Sequence, residues 1–275
     1  MIELSVAPWG VATTPGAVWV VGGEPGTIQR LDTATGAMRE VASARRPFLA
    51  TTARGYIWVT DNHAGRLIRI DPRDESVFVT PPVAKGPWAA APGDATLWIS
   101  DHPSNTIVRL DPDTGEAMLC VKSDGWPAGL LHAFGELWVV CWKDATLCAH
   151  DEETGQLRRR ISLGGVPGPS GIAASERHLW VTHVGARCVL QVDPSDGSVS
   201  DPIAVGKAPW CLVVNQEQVW VANTDSGNVS VIDCVTATVV RTWEAASAPY
   251  GLAVGDDSIW VGLRRPPALA RFPWK

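Results

Sequence analysis

Short apolar runs broken by Gly, Pro, Asp and Thr recur along the whole chain, and one of them repeats in kind. An aliphatic–Trp–aliphatic triplet is centred on Trp19, Trp58, Trp98, Trp138, Trp180, Trp220 and Trp260, at intervals of 39 to 42 residues. A proline lies eleven residues before every one of these tryptophans, at Pro8, Pro47, Pro87, Pro127, Pro169, Pro209 and Pro249. An aspartate lies thirteen residues after six of them, at Asp32, Asp71, Asp111, Asp151, Asp193 and Asp233, while the seventh slot holds Pro273. Within one unit the runs have strand length and turn chemistry between them. The third unit reads Pro87 to Ala90, Thr96 to Ser100, Thr106 to Leu110 and Glu116 to Val121. Its last turn, Asp111-Pro112-Asp113-Thr114-Gly115, supplies a pre-set φ at Pro and a permissive one at Gly. Four strands in about 40 residues is the period of a β-propeller blade. A helical solenoid of similar period would show apolar spacing of 3.6 and few prolines.

Seven such units predict an all-β, seven-bladed β-propeller with four strands per blade, forming one domain over residues 1–275. The blades run over about 7–46, 47–86, 87–126, 127–167, 168–207, 208–247, and 248–275 completed by 1–6. The last unit stops after its third strand, Leu269 to Phe272, and the apolar alternation Ile2-Glu3-Leu4-Ser5-Val6 stands ready before Pro8. The N-terminal strand Ile2–Val6 is therefore expected to complete the last blade and remove two exposed sheet edges. The seven repeated tryptophans are expected to wedge between blades, each burying ~150–250 Å², an upper bound of roughly 4–6 kcal/mol apiece. The repeated aspartates are expected to cap turns.

Composition sharpens this in three ways. The 23 Lys and Arg against 29 Asp and Glu give a formal charge of −6, which argues against nucleic acid and anionic membrane as partners. No apolar stretch reaches membrane-spanning length, and MIELSVAPWG does not read as a signal peptide. The six cysteines show no CxxC and no regular spacing, which points to reduced thiols and a cytoplasmic protein. Chain direction also sorts the loops onto two sides of the disc. Most acids, among them the repeated aspartates with Asp74, Asp94 and Asp113, fall on the face of the aspartate turns. Arg45, Arg46, Lys85, Lys143, Arg187, Lys207, Arg264 and Arg265 fall on the face where the prolines stand.

Candidate chemistry gathers on that Pro face. The residue after each proline is Trp9, Phe48, Trp88, Ala128, Ser170, Trp210 or Tyr250, a ring of five aromatics and two small residues at the channel mouth. Such an asymmetric ring reads as a pocket wall for a planar, apolar or cationic ligand, or as packing of the crowded hub. Three residues after the tryptophans stand Gly22, Asp61, Asp101, Cys141, His183, Asn223 and Leu263, with His63, His102, Trp142, Lys143 and Arg264 beside them. Asp61, Asp101, His102 and His183 are the candidates for proton transfer. Trp9, Phe48, Trp88, Trp142, Trp210 and Tyr250 are the candidate substrate wall, and Arg46 and Arg264 suit an anionic group on it. Asp and His also suit a divalent metal, for which the chain shows no set motif. No phosphate loop, dinucleotide fingerprint or HExxH stands in the sequence, so no redox cofactor is expected.

The unit Pro-x-Gly-(Ile/Leu), Leu-Trp-Val-Thr, Ile-x-Arg-(Ile/Leu)-Asp-Pro-x-Thr-Gly resembles the virginiamycin B lyase-like propellers, related to YVTN-type repeats. Pro169 to Ile172 and Pro249 to Leu252 carry the first part, Leu179 to Thr182 the second, and Ile107 to Gly115 the third. The resemblance covers all seven units and implies a ring closed by an N-terminal strand. It also implies a site at the channel mouth on the Pro face, with magnesium held there by glutamates. It places the family's first-blade tyrosine on Trp9, its two histidines on Trp210 and Tyr250, and its glutamates on Ala248 and Arg264. None of those family residues stands at its position here, so the place of the site carries over and the antibiotic-opening reaction does not. The expectation is a small-molecule enzyme of lyase, isomerase or cyclase type working by acid–base chemistry. The alternative is a propeller that binds a ligand, or an acidic protein partner on its basic face, without catalysis.

Overall fold

The structure, a computed structural model, describes residues 1–23, 26–93, 96–245 and 247–274; Asp94 lies outside them. It forms seven four-stranded antiparallel sheets arranged as the blades of a propeller. In the first blade the strands Pro8–Thr14, Ala17–Gly23, Gly26–Asp32 and Met38–Ala44 follow one another outward from the axis. The last blade is assembled from both chain ends: Pro249–Val254, Ser258–Arg264, Pro267–Pro273 and then Ile2–Glu3. The closing strand is shorter than the expected Ile2–Val6. Ile2 pairs with Leu269 and Glu3 with Ala268, and the Leu4 N–H still reaches the Pro267 carbonyl at 3.1 Å. Ser5 and Val6 bend away because the chain must cross from the rim of the last blade to the hub of the first.

The tryptophans hold the blades together as their spacing implies. Trp19, Trp58, Trp98, Trp138, Trp180 and Trp220 are at most 2% exposed, and Trp260 is 7% exposed. Trp19 packs with Ile57 and Val59 of the next blade, Trp58 with Leu97 and Ile99, and Trp138 with Leu179 and Val181. The aspartates cap turns. Asp32 Oδ1 accepts the N–H groups of Ala34 and Thr35 at 3.1 and 2.9 Å, and Asp111, Asp151 and Asp233 repeat the pattern. Hydrogen bonds from Arg73 to Asp71, and from Thr154 and Arg158 to Asp151, pull both carboxyls down to about 2.

That face carries more cation than a count of its acids conveys. Arg30 and Arg39 pair with Glu75, Arg158 with Glu136 and Asp151, and Arg271 with Asp257. On the opposite face Arg45, Lys85, Lys143, Arg187, Lys207 and Arg265 are all exposed. Among the described residues no helix is long and apolar enough to cross a membrane.

One local device positions the site. In every blade the innermost strand shifts register against the second just past its proline, as between Pro87 and Ala90 or between Pro209 and Cys211. A bulge re-aims the residue it displaces, and here that residue belongs to the ring at the channel mouth. In four blades the next residue is glycine, which lets neighbouring hubs meet. A Cβ on Gly171 would stand 2.8 Å from the Trp210 carbonyl, and one on Gly251 would stand 2.9 Å from the Trp9 carbonyl.

Candidate functional site

The bulges bring the ring side chains into contact with one another. Phe48 lies 5.3 Å from Trp9 and 4.4 Å from Trp88, and Tyr250 lies 5.3 Å from Trp9 and 5.9 Å from Trp210, centroid to centroid. The row continues at both ends. His102 stacks on Trp88 at 4.8 Å and meets Trp126 at 4.9 Å, while Trp142 stacks on Trp210 at 5.1 Å. Trp142 starts in the fourth blade and reaches the sixth, passing the fifth, where the ring residue is the small Ser170. Burial divides the ring in two. Phe48 and Tyr250 are 3% and 4% exposed and pack the hub, whereas Trp9, Trp88 and Trp210 keep partly open faces.

Those faces, with Arg46, Asn62 and Arg264, line a cup of about 270 Å³ on the Pro face. The Arg264 guanidinium sits 3.6 Å above the centre of the Trp9 ring and 5.4 Å from that of Tyr250. Its backbone N–H bonds the Ala248 carbonyl at 3.0 Å, and its buried Nε has no hydrogen-bond partner. Burial draws its pKa down from an ordinary value far above neutrality, so the group stays cationic. Arg46 Nη1 stands 2.8 Å from His63 Nε2. Asn62 donates to the Pro87 carbonyl at 3.2 Å. Burial also pushes the Tyr250 hydroxyl well above its usual range, which keeps it a neutral phenol.

The four residues singled out for proton transfer do not gather in this cup. Asp61, 3% exposed, accepts the backbone N–H groups of Arg45 at 3.1 Å and Arg46 at 2.9 Å. Asp101, 4% exposed, does the same one blade on, for Lys85 at 3.0 Å and Gly86 at 2.9 Å. Each carboxylate thus fastens the loop that leads into the innermost strand of its own blade. His183 is buried at the equivalent place. Its Nδ1 accepts the Ala186 N–H at 3.1 Å, and burial lowers its pKa against a hydrogen bond with the Val166 backbone. His102 is different. It opens a short 3-10 turn, His102–Ser104, lies flat on Trp88, and has a buried Nδ1 with no partner. Burial lowers its pKa, opposed by the Pro127 carbonyl and the Asp101 charge, so near neutral pH the ring is an uncharged imidazole.

Two features escaped the sequence reading. Thr60, Ser100 and Thr182 each stand two residues past a blade tryptophan, and each hydroxyl accepts an N–H just past the ring residue of its own blade: Leu49, Ala89 and Gly171. Each then donates to the ring-residue carbonyl of the next blade: Trp88, Ala128 and Trp210, at 2.9–3.2 Å. The signal was the recurrent hydroxyl in Trp-Val-Thr and Trp-Ile-Ser. The second feature is Trp126, 45% exposed and held at φ 60° by Asn105 Oδ1 on its N–H and by the Trp142 N–H on its carbonyl. It breaks the repeat, so spacing gave it no role.

The residues at the family's magnesium positions do not fit a metal ion. Ala248 offers no side-chain donor, and Arg264 places a fixed positive charge there. Among the described residues no group of three or more His, Cys, Asp and Glu side chains is arranged to hold a metal.

Comparison with known proteins accounts for this architecture. A search of curated proteins finds no match. Among solved structures, virginiamycin B lyase from Staphylococcus aureus is similar at TM-score 0.86 and 15% identity over 100% of this chain and 98% of that one. A streptogramin B lyase is similar at TM-score 0.84 and 18% identity, over 98% and 96% of the two chains. At such identities the likeness speaks for the fold alone. The sequence profile of the Virginiamycin B lyase family, however, matches residues 2–271. The chain belongs to the virginiamycin B lyase family.

Proposed function

We propose that this propeller binds a planar, anionic small molecule in the aromatic cup of its Pro face. The observation that carries the reading is the convergence of Trp9, Trp88 and Trp210 faces with the Arg46 and Arg264 guanidinium groups on one cavity of about 270 Å³. Flat ring faces favour a flat ligand, and guanidinium groups pair with carboxylate or phosphate in two-pronged geometry. The exposed cations around the same face raise the local concentration of such an anion. Acid–base catalysis finds less support, because Asp61, Asp101 and His183 are engaged by backbone groups. His102 stacks on Trp88 and does not line the cup.

Calorimetric titration with 2-naphthoate, a two-ring carboxylate, tests the reading. Arg264→Ala is expected to weaken binding about tenfold or more, the loss of one charge-assisted contact, and Trp88→Ala to do likewise. Unchanged affinity in both variants would sink the assignment. A second reading rests on Arg45, Lys85, Lys143, Arg187, Lys207 and Arg265, exposed around one face: an acidic protein partner docks there. Removing Arg45 and Arg265 would then abolish a salt-sensitive complex while leaving 2-naphthoate binding intact.

A further inference from the structure

The aromatic row divides the axis of the propeller. Phe48 and Tyr250 are buried, and each is in ring contact with three neighbours at the Pro-side mouth of the channel. On the inner side of the row lies a second cavity of about 290 Å³, walled by the innermost strands of all seven blades. Its lining includes Ala50, Ala90, Leu130, Ile172 and Leu252, and no charged side chain; Thr51 and Cys211 are the polar side chains on it. None of its lining residues is shared with the cup.

We propose that this inner channel is a binding site for a neutral heteroaromatic molecule of two fused rings. Size sets the upper bound. A cavity of about 150 Å³ takes one benzene ring, so the inner channel has room for about two. Charge sets the class, since an ion would lose its hydration to walls that carry no counter-charge. Backbone supplies the polar contact: each innermost strand is hydrogen-bonded to a neighbour on one side only, so its other edge offers N–H and C=O groups around the axis. A ring N–H or ring carbonyl finds partners there that a pure hydrocarbon does not use. The Cys211 thiol, which burial pushes up to about 12, adds a neutral and polarisable neighbour.

Indole is the probe, measured by calorimetry on the full chain, with 5-bromoindole soaked into crystals. Binding is expected to fall about tenfold or more in Ala90→Phe and in Cys211→Phe, which fill the channel. It is expected to be unchanged in Arg46→Ala combined with Arg264→Ala, which strips the cup of charge. The bromine signal is expected on the axis, inward of Phe48 and Tyr250. A bromine signal confined to the cup, or none, overturns the proposal even where the filling variants fail to fold. Binding that follows the arginines and ignores the filling variants overturns it as well. Because 2-naphthoate reports on the cup and indole on the channel, failure of one reading leaves the other standing.

Discussion

At the residue scale, the instructive pair is Asp61 and Asp101. Their place beside the channel mouth and their chemistry made them proton-transfer candidates, yet each carboxylate is spent on two consecutive backbone N–H groups. Removing one leaves two donors unsatisfied in a buried place. Asp101→Ala is therefore expected to cost about 2–4 kcal/mol, as hydrogen bonds to a charged group do, and Asp101→Asn to recover part of that. Urea denaturation reads both. A catalytic residue would instead leave the midpoint unmoved and abolish turnover. The histidines make a separate prediction. Burial lowers the pKa of His102 and His183 below the value each has in the unfolded chain. The unfolded chain then binds more protons as the pH falls through about 6.5, and stability drops with it. Their contribution is fully present above that value and is lost toward each folded pKa. Urea midpoints compared at pH 7.5 and 5.5 should fall in the wild type, and fall less in His183→Gln.

At the scale of the element, the innermost strand does most of the positioning. Proline starts it, the bulge that follows throws one side chain to the mouth, and in three blades a hydroxyl from the second strand fastens the bulge to the next blade. Thr60→Val removes the contact to the Trp88 carbonyl and the acceptor for the Leu49 N–H. The expected loss is about 1–3 kcal/mol for the buried groups left unpaired, together with weaker 2-naphthoate binding because the Trp88 backbone is no longer held. Calorimetric unfolding and titration of the same sample check both. This element also marks how far sequence reasoning reached. Spacing located Pro and Trp in every blade, and Asp in six, because the blades are built alike, and it located the ring because the ring follows the proline. Period says nothing about what a polar atom bonds, so Asp61 tied by backbone and His102 stacked on Trp88 looked alike. Trp126 escaped for a different reason: the other units carry Ala, Arg or Gly just before the proline, so the repeat gave that position no role.

At the scale of the whole molecule, the ring stands or falls on how its ends meet. The closing strand contributes two paired residues and one further hydrogen bond, whereas the outer strand of the sixth blade, Thr238–Glu244, pairs six. Ladder bonds alone are thus a thin fastening. Ile2 and Leu4 add to it by packing against the cluster of Val11, Val18, Leu31, Trp260 and Leu269, which spans the first and last blades. Each apolar side chain fully buried there is worth roughly 1.5–3 kcal/mol, and these two are partly buried. Deleting residues 1–6 removes both and bares the edge of Pro267–Pro273, a ready template for pairing with another copy. The expected result is a fall in Tm of about 4–12 °C, with association that grows with concentration, read by calorimetry and light scattering. Glu3→Ala, which keeps the apolar pair and the backbone ladder, is expected to change stability by no more than about 0.5 kcal/mol. A truncated chain that melts like the full one and stays monomeric would mean that the seams between the blade tryptophans close the ring without the strand.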